Sequence, residues 1–180
     1  MGKTYVELTG PLIELISQQH VFFVATAPLE AGGRVNVSPK GLDSFRILGP
    51  KEVAYLDLTG SGVETIAHVR QNGRLTILFC TLEGPPKIVR LYGRGEVLEA
   101  GTPAFDALAP RFASLPGARA IIRLAIEQVS DSCGYGVPEY EFRGEREVLP
   151  AWAARKSDEE LVEYRRTKNA RSIDGLPGID

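Results

Sequence analysis

The chain has little of what small enzymes commonly use for chemistry: of its 180 residues only two are cysteine and two are histidine. Cys80 closes the apolar run Leu75-Thr76-Ile77-Leu78-Phe79-Cys80 and Cys133 sits beside glycine in a loop. Neither has the spacing of a zinc or CxxC motif, and no disulfide is expected between them in a cytosolic chain. His20 precedes a strand and His68 falls on a helix. With no carboxylate or cysteine at triad or ligand spacing, both read as structural and no metal site is expected. No apolar stretch approaches the ~20 residues of a membrane-spanning helix, and Met1-Gly2-Lys3-Thr4 leads into no signal-type run, so the expected location is cytoplasmic. The formal net charge is -2, which lacks the cationic surplus that draws a protein to nucleic acid. There is no internal repeat and no low-complexity tract.

What is present suits one domain over residues 1–180: 43% of residues are hydrophobic and 24% charged, enough for a substantial core. Short β-rich runs dominate, at Val21–Ala27, Arg34–Ser38, Ser44–Leu48, Glu52–Leu58, Arg74–Thr81, Lys87–Glu99 and Arg119–Ser130, with turn residues between them. Gly93 and Gly95 mark a bend or bulge in the long sixth run. Helices are expected from Pro11 behind Thr9, over Ser61–Asn72, and over Thr102–Ala113. From Pro150 the character changes to a charged helical extension, residues 150–180, with Ser157-Asp158-Glu159-Glu160 as a capping box. The pattern is mainly β, a barrel with peripheral helices.

Three segments carry candidate chemistry. Thr59-Gly60-Ser61-Gly62-Val63-Glu64-Thr65 lies between a strand and a helix. It falls short of a dinucleotide fingerprint, because Thr65 stands where a third small residue is needed and the βα repeats are missing. A glycine-rich turn ahead of a helix still offers backbone N–H groups to an anion, with Ser61 and Thr65 adding hydroxyls; Ser61 and Glu64 capping the helix is the plainer reading. In Asn36-Val37-Ser38-Pro39-Lys40-Gly41, Lys40 can pair with a phosphate or simply face water. In Lys87–Gly95, alternation puts Arg90, Tyr92 and Arg94 on one side, as an anion contact or a surface stripe.

Taken in this order, Asn36–Gly41, the strand Tyr55-Leu56-Asp57-Leu58 leading into Thr59–Thr65, the Asn72-Gly73-Arg74 strand entry and Arg90–Gly95 resemble the pyridoxamine 5′-phosphate oxidase-like split-barrel proteins over roughly residues 8–130. Asp131–Pro138 and Asn169–Pro177 resemble the ending of an uncharacterised subgroup. The resemblance implies an FMN-binding split β-barrel, a homodimer, and a small-molecule substrate. It would place the flavin ring at Val37, Ser38 and Lys40 and the phosphate at Ser61, Thr65 and Arg90. This chain departs from the authentic oxidase in the acidic Glu64, in the lack of basic residues around it, and in the absence of the C-terminal Arg-Leu-x-Pro segment. Scarce catalytic side chains fit a flavin enzyme, whose cofactor carries the electron chemistry. They fit equally a flavin-binding or stress module without turnover, or a relative that holds deazaflavin or haem. The tail is expected to be ordered and to complete the mouth of the site through Tyr135, Trp152 and Tyr164, with Tyr135 as a plug of the barrel end the plainer reading.

Overall fold

The computed structural model describes residues 2–179. Eight antiparallel strands form one sheet that curls into a barrel: β1 (Thr4–Tyr5), β2 (Phe22–Thr26), β3 (Asn36–Lys40), β4 (Phe45–Gly49), β5 (Glu52–Leu58), β6 (Arg74–Cys80), β7 (Lys87–Glu99) and β8 (Ala118–Cys133). Their order is β3-β2-β6-β7-β8-β5-β4, with β1 paired to β8. Among the described residues the α-helices are α1 (Gly10–Ser17), α2 (Glu64–Asn72), α3 (Pro103–Leu108), α4 (Val148–Ala154) and α5 (Asp158–Lys168).

Alternation explains the layering. Val24 on β2, Tyr55 on β5, Ile77 on β6, Leu91 on β7 and Ile122 on β8 share the inner face with Leu12 and Ile16 of α1 and Ile66 of α2. The opposite face of β5, through Ala54 and Leu56, is also buried, because Leu98, Phe112 and Ile121 cover it beside α3. Asp57 falls on the same alternate row as Val53 and Tyr55 and is only 2% exposed. An acid is thus carried into the interior by the periodicity of its own strand.

Several sequence expectations shift in register. β3 runs to Lys40 instead of ending at Ser38, because it is an edge strand and Pro39, opposite Phe23, costs it no ladder bond it needs. α2 starts at Glu64 behind Val63, with no side-chain cap from Ser61. α3 gives way to a 3₁₀ turn at Ala109–Arg111, where Pro110 ends the α-helical ladder. Thr102 does cap α3, its hydroxyl accepting from Phe105 N at 3.3 Å. The expected bulge is present: the β7–β8 register shifts between Tyr92 and Gly93, and a Cβ on Gly93 would lie 1.9 Å from the Ala125 carbonyl oxygen.

The extension belongs to the barrel wall. The Ser157–Glu160 capping box opens α5, and the chain then returns so that Ile179 joins the main core and Asn169 is fully buried. A Cβ on Gly178 would lie 2.0 Å from the Asn169 carbonyl oxygen, so only glycine allows this close approach.

Candidate functional site

The inner row of β3 is polar: Asn36, Ser38 and Lys40 face inward opposite Thr26, Val24 and Phe22. Ser38 Oγ donates to Asn36 Oδ1 at 3.0 Å, and Asn36 Nδ2 donates to Thr65 Oγ1 at 3.0 Å and Thr26 Oγ1 at 3.2 Å. The Thr26 hydroxyl meets His68 Nδ1 at 3.0 Å. This chain of hydrogen bonds fixes Ser38 and Thr65 relative to the start of α2, whose first-turn N–H groups have no intrahelical acceptors.

Beside it lies a buried charge cluster. Lys40 Nζ is 2.8 Å from Asp57 Oδ1, and Arg119 Nε is 2.7 Å from Asp57 Oδ2. Burial by itself would raise the Asp57 pKa, but Lys40 and then Arg119 outweigh it, and the carboxyl titrates below its ordinary range. Arg119 owes its aim to a β-bulge: Asp57 pairs with Ala120 but Leu58 with Ala118, leaving Arg119 as the extra residue. Its guanidinium donates to Gly62 O at 2.7 Å and to Asn169 Oδ1 at 2.8 Å. Asn169 Nδ2 in turn donates to Gly60 O at 2.9 Å. The glycine-rich turn therefore directs carbonyls inward at Arg119 and Asn169. Glu64 is turned to the tail, accepting from Val63 N at 3.0 Å and Ile173 N at 3.2 Å.

A cleft of about 300 Å³ opens here, bounded by Ser38, Lys40, Thr65 and Arg119. It adjoins a larger one of about 910 Å³, sharing Pro39, Lys40, Gly41, Leu42, Gly60 and Leu149 with it. Leu42 (φ 61°) and Asp43 (φ 50°) at the shared edge hold left-handed backbone without being glycine, a strain that structures sustain mostly at functional sites. Glu145 braces this turn, accepting from Leu42 N at 3.0 Å. The far wall of the larger cleft comes from the extension, including Trp152 and Tyr164, whose rings meet edge-on at 5.0 Å.

The structure thus brings Ser38, Lys40 and Thr65 to the small cleft and Ser61 to the large one. It sets Val37 and Arg90 on the outer face of the sheet, in line with Ala25, Thr76 and Tyr92 and with Phe23 and Leu78. Val37 is exposed, and Arg90 donates to Ser132 Oγ at 3.3 Å. Tyr135, expected at the mouth, is 84% exposed and lines neither cleft, whereas Trp152 and Tyr164 do line one. Asp57, Arg119 and Asn169 are the site residues that sequence reasoning missed. The available signal was an acid on the core-facing row of one strand and an arginine at the head of the apolar run Ala120-Ile121-Ile122.

The sequence profile of the pyridoxamine 5′-phosphate oxidase family matches residues 9–133. The pyridoxamine 5′-phosphate oxidase family protein ustO of Aspergillus flavus is 42% identical over 192 aligned residues, spanning 97% of this chain and 77% of that protein. Among solved structures, HupZ of Group A Streptococcus is 26% identical with a TM-score of 0.53, over 69% of this chain and 98% of its own. An FAD-binding protein of Mesorhizobium loti shares the fold at 17% identity and a TM-score of 0.50, over 73% of this chain and 96% of its own. The mainly β barrel and the match across most of its residues make this chain a member of the pyridoxamine 5′-phosphate oxidase family.

Proposed function

We propose that the chain binds FMN at the small cleft, where it adjoins the larger one, and acts, as a homodimer, as an FMN-dependent oxidoreductase on a small molecule. The observation that carries this reading is the convergence of two cations, a threonine hydroxyl and a helix start on the small cleft, lined by Lys40, Arg119 and Thr65. Lys40 and Arg119 share the single carboxylate Asp57. Such a site suits an anion, and the hydroxyl of Thr65 with the first turn of α2 supplies neutral donors to it. Glu64, the acidic departure noted in the sequence, also lines this cleft, and its two oxygens are occupied by Val63 N and Ile173 N.

These residues would hold a flavin phosphate in the small cleft, and Lys40, Gly41 and Leu42, which line both clefts, would border the ring. When bound, the flavin would supply the hydride and electron chemistry that the side chains lack. The protein's part is to hold the anionic end, orient the ring and keep water from it. The outer sheet face, with Val37 61% and Tyr92 36% exposed beside Phe23 and Leu78, supports the dimer reading; Val37 and Arg90 would then meet the second subunit. The absorption spectrum of the purified protein, with chromatography of the released chromophore, tests the cofactor. FMN is expected, and haem or a deazaflavin would refute this. NAD(P)H oxidation by the loaded protein tests turnover, and Lys40→Gln should weaken FMN far more than riboflavin. Sedimentation of Tyr92→Asp should show monomers where the parent shows dimers.

A further inference from the structure

The large cleft has a second wall that the barrel does not supply. Its sides include Trp152, Tyr164, Tyr140 and Phe142, all beyond the residues 9–133 matched by the family profile. Phe142 is pinned by a parallel stack on His20 at 3.6 Å and by its own N–H, which donates to Glu83 Oε1 at 2.8 Å. The segment 140–147 is therefore fastened over the cleft at both ends, since Glu145 holds Leu42 N. An aromatic wall of this kind takes a flat, apolar ring.

The charges on the wall show which polar group that ring carries. The acids are engaged: Glu83 and Glu145 accept from backbone N–H groups, and Glu141 pairs with Arg143 at 3.5 Å. Lys40 is engaged by Asp57, and Lys156 lies over the Trp152 ring and pairs with Glu160. Arg146 and Arg155 also line the cleft, and among the described residues neither has an acidic partner. Two planar guanidiniums without partners beside an aromatic wall match a carboxylate, which they can grip through paired N–H donors. A phosphate is better served by the buried cations and helix start of the small cleft.

We infer that the large cleft is the substrate site and that its substrate is an aromatic carboxylic acid, held between the Trp152–Tyr164 wall and the guanidiniums of Arg146 and Arg155. This rests on reading the small cleft as the cofactor's phosphate site. Trp152 is the only tryptophan in the chain, so its fluorescence reports on this wall alone, and calorimetry on the same holoprotein gives the affinity. The probes are 4-hydroxyphenylacetate, its amide, and phenyl phosphate. The acid is expected to bind saturably and perturb Trp152, with the amide up to about fivefold weaker, the most that a solvent-exposed charge pair contributes. The double variant Arg146→Gln/Arg155→Gln, both at exposed positions, should lose the preference for the acid while keeping its flavin content. Equal binding of acid and amide, tighter binding of phenyl phosphate, no saturable signal from any probe, or an undiminished preference in the double variant would overturn the assignment. If the purified protein carries no flavin yet Trp152 still separates acid from amide, the cofactor reading falls and the cleft assignment stands.

Discussion

Replacing Asp57 with Asn keeps the shape of the charge cluster and removes its only anion. The carboxylate is 2% exposed and accepts from Lys40 at 2.8 Å and from Arg119 at 2.7 Å. An amide can offer one oxygen to one of them and turns its own N–H₂ toward the other. Removing one member of a buried pair costs about 3–5 kcal/mol. The lower end, about 3 kcal/mol, applies because the Lys40 side chain keeps 26% exposure and can turn toward water. For a chain of this size that corresponds to a fall in Tm of about 6–12 °C. The pH dependence gives a second reading of the same cluster. Asp57 has its pKa lowered on folding, so its contribution is complete above the unfolded value of about 4 and is lost as pH falls through the folded one. Urea unfolding of both proteins at pH 7 and at stepped acid pH measures this, and the gap between them should close below about pH 4. Adding Lys40→Gln to the variant should recover part of the loss, because one stranded charge is gone. A loss under about 1 kcal/mol at pH 7, typical of an exposed pair, or a gap that does not close in acid, would refute the argument.

Three further perturbations test other parts of the fold. Gly178→Ala puts a Cβ 2.0 Å from the Asn169 carbonyl oxygen and 2.8 Å from Val63 Cγ2; it should cost about 1–3 kcal/mol by urea unfolding and speed limited proteolysis of the tail, and unchanged stability would show that the tail is not docked as described. His68 is buried, with Nε2 lacking a partner among the described residues, and burial lowers its pKa against the opposing charges of Asp174, Glu64 and Glu30. A depressed folded pKa means that stability is full above the unfolded value of about 6.5 and declines below it, so His68→Gln should flatten the stability profile between about pH 7 and 5; parallel profiles would contradict this. Ser157→Ala removes the hydroxyl that accepts from Glu160 N at 3.3 Å and should cost about 1 kcal/mol, read by urea unfolding, whereas no loss would mean the capping box is not holding α5.

How much of this was legible in the sequence depended on whether a residue's role is set by its neighbours in the chain. Ser38 and Lys40 could be read together because the period of a strand places them on one face, and the same period should have separated Val37 from them. Thr65 could be read because it follows a glycine-rich turn into a helix. α4 escaped notice because Pro150 reads as a stop, yet it lies in the first turn of that helix, where its missing N–H costs nothing. Arg119 was illegible for a different reason: its aim depends on a single extra residue in the β5–β8 register, which no local pattern announces. Asn169 joins it from 50 residues downstream. The turn residues of Asn169–Gly178 did signal an ordered tail, but what it is ordered against emerges only in three dimensions. The tail holds Gly60 through the Asn169 amide, Arg119 through its oxygen, and Glu64 through Ile173 N. The polar cleft is thus a joint product of barrel and extension, and the barrel segments alone do not determine its shape.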